Sequence, residues 1–354
     1  MSSSPSPARI ATPILVTGAT GFIGRRLVRR LLDDGYAPRL FVRPTAVAPG
    51  GDRVLAPEDA SWADLPFVVG DVAEVDTVHR AVRDTATVFH LAAKVGDWGR
   101  RADHRAVTVR GTEHVLGEAA RREARVVLAS SVVVYGEQLG AVTCDEQRPL
   151  GREAYGPYGD AKRAAERVAR NLEAERGLRV TVVRPTNVYG PGSKPWVDAP
   201  VEAMRQGLPA LIGDGRRDAG LAYVDNVVDV FVRAAATPAA VGRTYNANDE
   251  CGVTWREYFT DLARLVGARC PPRSLPMPAA RLLAPTARTL WDLLRREDRA
   301  PLTPEALHLL AADHRVPSAR ARRELGHRPE VSYAEGMAAV ARYLGAPRAQ
   351  VRSA

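Results

Sequence analysis

The chain has 354 residues, 45% of them hydrophobic, enough for a full-sized core that needs no disulfide staples. Its 50 Lys plus Arg against 41 Asp plus Glu give a net charge of +9, but acids are interspersed ("RRADHR", "RREAR", "RREDR") and no aromatic stacking platform accompanies them, which favours an Arg-rich solvated surface over nucleic-acid binding. Cys144, Cys251 and Cys270 have neither metal-ligand nor CxxC spacing, so no metal site is implied and a reducing, cytoplasmic compartment is expected.

The opening "MSSSPSPARIAT", residues 1–12, reads as a disordered Ser/Pro-rich tail. No later run of 18 apolar residues occurs, so no membrane span is expected. From residue 13 short apolar runs alternate with helix-length amphipathic segments. The runs are "PILVT" (Pro13 to Thr17), "RLFV" (Arg39 to Val42), "FVVG" (Phe67 to Gly70), "TVFHL" (Thr87 to Leu91), "RVVLAS" (Arg125 to Ser130) and "RVTVV" (Arg179 to Val183). Helices are expected between them, among others over Phe22 to Asp33 and Arg101 to Arg122. Continuous Val, Leu and Ile strands alternating with helices predict an α/β, Rossmann-type doubly wound parallel sheet. We assign residues 13–190 to this nucleotide-binding domain and 191–350 mainly to a smaller, interleaved substrate lobe, with about 221–250 returning to the first domain. "TYNAN" (Thr244 to Asn248) is strand-like, and Ala279 to Glu297 reads as a lid or packing helix ahead of a membrane-surface one.

Directly after the first strand, "TGATGFIG" sets Gly18, Gly21 and Gly24 where the chain must turn sharply into a helix. Glycines there let a pyrophosphate approach backbone N–H groups at the positive helix end. A glycine triplet alone is weak, but strand, glycines and amphipathic helix together predict a dinucleotide site. The second strand ends in "LFVRP", with Arg43 and no acid, and Arg25 follows the last loop glycine. This favours NADP(H) over NAD(H), because a cation accommodates a ribose 2′-phosphate whereas an acid would bind a free hydroxyl. Asp71, ending the third strand, is a candidate for the adenine.

Only three lysines occur, Lys94, Lys162 and Lys194, and Lys162 stands four residues after Tyr158, one helical turn away. A Tyr beside an ammonium makes a proton donor whose pKa is lowered toward working pH, and a compact ammonium can also bridge ribose hydroxyls, a task for which an Arg fork is poorly shaped. Ser131, at the end of the fifth strand, lies where ligands bind in open α/β sheets and is positioned to donate to a carbonyl oxygen; Ser130 is the neighbouring alternative. Singly each is an ordinary turn or surface residue; together with the glycine loop they form a reaction centre.

These stretches, with "GD" at Gly70 and Asp71, "HLAA" (His90 to Ala93), "SSVVVYG", "YGDAK", "RPTNVYGPG" (Arg184 to Gly192), "YVDNVVD" (Tyr223 to Asp229) and "ARRELGHRPEVSYAEGM" (Ala321 to Met337), resemble the extended short-chain dehydrogenase/reductase superfamily of the NAD-dependent epimerase/dehydratase type. The resemblance covers nearly the whole chain. It implies Ser131, Tyr158 and Lys162 as catalytic residues. It implies cofactor contacts at Gly18, Thr20, Gly21, Phe22, Ile23, Gly24, Arg43, Asp71, Val72, Leu91, Ala92, Ala93, Lys94, Tyr158, Lys162, Pro185 and Asn187. A homodimer formed through 101–122 and 161–175 would be usual for the family.

Departures from the family pattern point to a branch. Members acting on nucleotide sugars usually carry an Arg six residues after the first Gly of "GDG"; here that place holds Ala219, with Arg216 and Arg217 as nearby substitutes. The Asp-Glu pair of the 4,6-dehydratases is replaced by valines among Val132, Val133 and Val134. An apolar wall would leave sugar hydroxyls unpaired and suits an apolar small molecule, although alternation requires at least one of these valines to pack behind the strand. "AAKVGDWG" (Ala92 to Gly99), "LIGDGRRDAGLAYVDN" and "PLTPEALHLL" resemble the bacterial 3β-hydroxysteroid dehydrogenase-like and 2-alkyl-3-oxoalkanoate reductase branch. The expected substrate contacts are Lys94 for a carboxylate, Trp98 for an alkyl portion, Val133 and Asn187; an equal alternative is that Lys94 only caps a loop. The sequence thus predicts an oxidoreductase interconverting a ketone and a secondary alcohol, with a nucleotide-sugar 4-epimerase as the alternative and a nucleotide-sensing protein without turnover disfavoured.

Overall fold

Short β-branched and leucine-rich runs form the strands of the computed structural model, which describes residues 9–46, 62, 64–153, 155–294, 300 and 302–346. In chain order the strands are β1 (Ile14–Thr17), β2 (Arg39–Val42), β3 (Phe67–Val69), β4 (Thr87–His90), β5 (Arg125–Ala129), β6 (Arg179–Pro185), β7 (Asn187–Tyr189), β8 (Leu211–Ile212), β9 (Leu221–Tyr223), β10 (Thr244–Ala247) and β11 (Ser274–Leu275). The helices are α1 (Phe22–Asp33), α2 (Val75–Val82), α3 (Arg101–His104), α4 (Gly111–Arg121), α5 (Pro157–Arg176), α6 (Ala199–Arg205), α7 (Val224–Ala236), α8 (Trp255–Leu265), α9 (Met277–Leu293), α10 (Pro304–Ala311), α11 (Ala319–Leu325) and α12 (Tyr333–Tyr343).

Seven strands make the main sheet in the order β10-β6-β5-β4-β1-β2-β3, and every neighbouring pair is parallel. The fold is therefore the expected Rossmann-type α/β architecture, and all strand C-termini share one edge. The strand order reverses between β1 and β4, the place where such sheets open a crevice for ligands. One face is covered by α1 and α7, whose Leu27, Leu31, Val227 and Phe231 pack on Val16, Phe89 and Val127. The other is covered by α2, α4 and α5 around Leu15, Val88, Val126 and Val180. The expected helix over 101–122 is interrupted by a wider, π-helical turn at Arg105–Arg110 between α3 and α4. "TYNAN" supplies β10, an edge strand paired with β6.

A third cluster, built on Trp255, Tyr258, Phe259, Tyr189 and Tyr223, forms the second lobe with the two-stranded pairs β7–β9 and β8–β11. In α9 the small residues Ala280 and Ala284 are buried against Ile212 and Leu302, while Leu282, Leu290 and Leu293 face outward. Residues 295–297 of the segment expected to be a lid lie outside the described residues. Residues 1–8 of the expected tail also lie outside them; Ile10 packs into the core, and the Ala11 carbonyl accepts a hydrogen bond from Thr87 Oγ1. Among the described residues no helix is long and apolar enough to cross a membrane.

A buried polar chain ties β5, α5 and β6 together. Glu166, 2% exposed, accepts from Ser130 Oγ and from two Arg184 nitrogens, Nε at 2.9 Å and Nη2 at 2.6 Å. Arg184 stacks 4.9 Å from the Tyr135 ring centroid, and the Tyr135 hydroxyl donates to Asn246 Oδ1 at 2.8 Å, reaching β10. Burial opposes the Arg184 charge, but Glu166 beside it more than compensates and raises its pKa. Breaking one partner of a buried pair strands the other charge. Arg184→Met is therefore expected to cost about 3–5 kcal/mol in urea unfolding, and Arg184→Met combined with Glu166→Leu to recover most of that loss. Equal losses in the two variants would mean that the pair is not electrostatically coupled.

Candidate active site

Gly18 leaves β1 at φ +71°, and a Cβ placed there would lie 2.7 Å from the backbone nitrogen of Ala92 just past β4. A Cβ on Gly24 would lie 2.1 Å from the Gly18 carbonyl oxygen, so the start of α1 rests directly on the loop. Gly21 caps α1 without a side chain, and no acid stands in its first turn. The loop therefore turns backbone N–H groups toward the positive end of a helix and admits nothing larger than hydrogen at two of its positions, which suits a dinucleotide pyrophosphate. Thr20 is half-buried, its carbonyl holding the Arg25 Nε at 3.1 Å. Phe22 and Ile23 pack against the aromatic cluster of the second lobe.

The other expected cofactor positions follow the same sheet edge. Arg43, just past β2, is exposed and its side chain makes no hydrogen bond or ion pair among the described residues. Asp71 follows β3; its carboxylate accepts from the Ala73 N–H at 2.8 Å, and Val72 packs beneath it into the core. Leu91, Ala92, Ala93 and Lys94 leave β4 half-buried, with the Ala92 N–H donating to Thr17 Oγ1 at 3.2 Å and that of Lys94 to Thr108 Oγ1 at 3.0 Å. His90 beneath them bridges the Thr17 and Thr112 hydroxyls, and burial lowers its pKa to about 3, so it is a neutral spacer. Pro185 ends β6, buried. Asn187 is buried too, but its amide donates to the Ala219 carbonyl at 2.7 Å and lies 3.3 Å from His314 Nε2, which commits it to the second lobe.

At the centre, Ser131 follows β5 and its hydroxyl is hydrogen-bonded to that of Tyr158 near the start of α5. Lys162 lies one turn further on, 5% exposed, donating to the Ala129 carbonyl at 2.7 Å, with its ammonium 5.9 Å from the Tyr158 ring centroid. Burial lowers the Lys162 pKa to about 8 despite the opposing charge of Glu166. The expectation that Lys162 depresses the Tyr158 phenol is not met in this arrangement. Burial and, next, the charge of Glu305 raise the phenol pKa, the Ser131 bond opposing them, while the Lys162 head is turned to Ala129. The Tyr158 phenol is consequently protonated at neutral pH.

Of the three valines, Val132 and Val134 are buried and Val133 is half-exposed, in a tight 3₁₀ turn rather than on a strand. Lys94 and the half-buried Trp98 belong to one loop, in which the Lys94 side chain runs past Gly99. Ala219 is fully buried in the second-lobe core, whereas Arg216 and Arg217 are exposed.

Two residues at the centre escaped sequence reasoning. Glu166 is one turn beyond Lys162, a spacing that also describes any ordinary helical surface pair. Glu305, on α10 of the second lobe, accepts from the Gly159 N–H at 2.9 Å beside Tyr158. Its local context, "TPE", reads as the start of its own helix and carries no sign of a distant partner.

The chain is similar to known proteins over most of its length. The model of the NAD dependent epimerase/dehydratase family matches residues 14–247. A 2-alkyl-3-oxoalkanoate reductase of Stenotrophomonas maltophilia is 30% identical over 92% of this chain and 97% of its own. A 3 beta-hydroxysteroid dehydrogenase/Delta 5-->4-isomerase of Mycobacterium tuberculosis is 30% identical over 89% and 86%. A UDP-glucose 4-epimerase of Mycolicibacterium smegmatis is 33% identical over 92% and 96%.

The lowered pKa of Lys162 makes stability depend on pH. Between about 8 and 10.5 the unfolded chain binds a proton at this lysine that the folded chain has released, so folding gains stability as pH rises through that window, on the order of 2–3 kcal/mol. Urea midpoints measured across the window should rise in the wild type relative to Lys162→Met; parallel curves would place the Lys162 pKa at its ordinary value.

Proposed function

The chain belongs to the NAD dependent epimerase/dehydratase family of extended short-chain dehydrogenases/reductases, and from that premise we propose that it is an NADP(H)-dependent ketoreductase, interconverting a largely apolar ketone and its secondary alcohol. It is an oxidoreductase that uses a nicotinamide cofactor. The observation that carries the finer reading is Ala219. The position where nucleotide-sugar enzymes usually hold a phosphate-binding Arg is a methyl group sealed in the core, and a guanidinium there would have to displace packed side chains. The half-exposed Val133 beside Ser131 supports the same preference, since sugar hydroxyls against it would lose hydrogen bonds to water.

In this reading the glycine loop and the first turn of α1 hold the pyrophosphate, Lys162 holds the ribose, and a nicotinamide so bound supplies or accepts the hydride. Ser131 donates to the substrate carbonyl oxygen and orients it. Tyr158, kept protonated by its surroundings, gives its proton to that oxygen as negative charge develops there, so that ketone, hydride and proton balance to the alcohol. Lys94 receives an acidic head group and Trp98 covers an alkyl portion. The exposed Arg43 side chain meets a 2′-phosphate, which is why NADP(H) is preferred.

Purified protein should oxidise NADPH with a panel of 2-alkyl-3-oxoalkanoic acids, 3-ketosteroids or aromatic ketones, and Tyr158→Phe should lower kcat by about 10²–10⁴ with cofactor binding retained. Isomerisation of a UDP- or dTDP-sugar without net cofactor consumption would replace this reading with the epimerase one. Arg43→Ala should weaken NADPH binding by about tenfold to a hundredfold in a fluorescence titration and leave NADH nearly unchanged. A parallel loss for both cofactors would remove Arg43 from the choice between them.

A further inference from the structure

We propose that Glu305 is a positioning residue of the reaction centre, a carboxylate supplied by the second lobe that caps the first turn of α5 and so fixes Tyr158. The proposal rests on the reading of Tyr158 as proton donor and adds a residue to it.

The residue before α5 is Gly156, which provides no side-chain cap for a helix whose first turn carries Tyr158. The cap comes instead from far along the chain. The Gly159 N–H donates to Glu305 Oε1 at 2.9 Å, and the absent side chain of Gly156 makes the room, since a Cβ there would lie 2.0 Å from Glu305 Oε2. Glu305 is 4% exposed, and a carboxylate at a helix N-terminus is stabilised by the aligned peptide dipoles.

The helix that delivers it, α10, is fixed at two further points around the same centre. Thr303 caps α10, accepting from the Ala306 N–H at 3.1 Å, and its hydroxyl also donates to Asp97 in the loop that carries Lys94 and Trp98. His308, one turn after Glu305, donates from Nε2 to the Gly136 carbonyl at 2.9 Å and stacks on Tyr155 with centroids 3.9 Å apart. One short helix thus grips the loop after β4, the turn after β5 and the start of α5. Among the described residues, the charged and polar groups around this corner include Ser131 beside Tyr158, Lys162 and Asp160 on α5, Glu137 and Glu153 near Tyr155, Asp97 held by Thr303, and His308 on α10. Asp160 is neutralised by Arg163 and Arg101, burial favours neutral His308, and Glu305 is the acid that raises the Tyr158 phenol.

Two substitutions separate the roles. Glu305→Gln keeps an oxygen acceptor for Gly159 and removes the charge; Glu305→Ala removes both. Hydrogen–deuterium exchange over residues 155–162 should quicken on the order of tenfold in Glu305→Ala and stay near wild type in Glu305→Gln. In Glu305→Gln the alkaline limb of kcat/KM for ketone reduction should move to lower pH, with the KM for cofactor unchanged. The near-ultraviolet phenolate signal specific to residue 158, taken as the difference from a partner protein that also carries Tyr158→Phe, should move in the same direction. Unchanged exchange in Glu305→Ala, or an unmoved phenolate titration in Glu305→Gln, overturns the proposal. A wild type that reduces no ketone overturns the ketoreductase reading instead, and the exchange and phenolate measurements still decide the role of Glu305.

Discussion

The arrangement of Ser131, Tyr158 and Lys162 depends on a single buried carboxylate. Glu166 receives Ser130 at the end of β5 and Arg184 at the end of β6, and itself belongs to α5, so it locks two strand ends to the helix that carries Tyr158 and Lys162. The hydrogen bond from Lys162 to Ala129 runs between the same two elements one turn nearer the site. A paired charge inside a protein tolerates little displacement, because any gap exposes both partners to an apolar medium without compensation. Rigidity is thereby placed directly behind Ser131 and Tyr158.

Much of this was legible from the chain. The strands emerged within a residue or two because continuous Val, Leu and Ile between turn residues fits only a sheet covered on both faces, and α1 begins and ends where its amphipathic period does. The glycine loop and the Tyr158–Lys162 spacing were equally plain, since each is a local pattern set by one close approach or one helical turn. What failed to show was non-local. At least one of Val132 to Val134 was expected to pack behind the strand; Val132 and Val134 are buried, but through a tight turn after the strand, which contains Gly136 with φ +55° and ψ −127°. The upward shift of the Tyr158 phenol comes first from its burial and next from the charge of Glu305, brought from far along the chain, while the Lys162 head is turned toward a carbonyl.

The two lobes meet more intimately than a hinge between independent domains would allow. Phe22 and Ile23, the first residues of α1, pack on the aromatic cluster that builds the second lobe, and Ile23 also joins the sheet core. Asn187 spends its amide on Ala219 and His314 instead of facing the cleft. The glycine loop and the second lobe therefore share side chains, and substitutions in the aromatic cluster are felt at the N-terminal end of α1.

Gly156 and Glu305 fill one volume between them: the hydrogen of the first is the space occupied by the second. Neither position is free to drift alone. A side chain placed at 156 evicts the carboxylate. The two sites, almost half the chain apart in sequence, are bound by one steric condition: any Cβ at 156 requires the carboxylate of Glu305 to move.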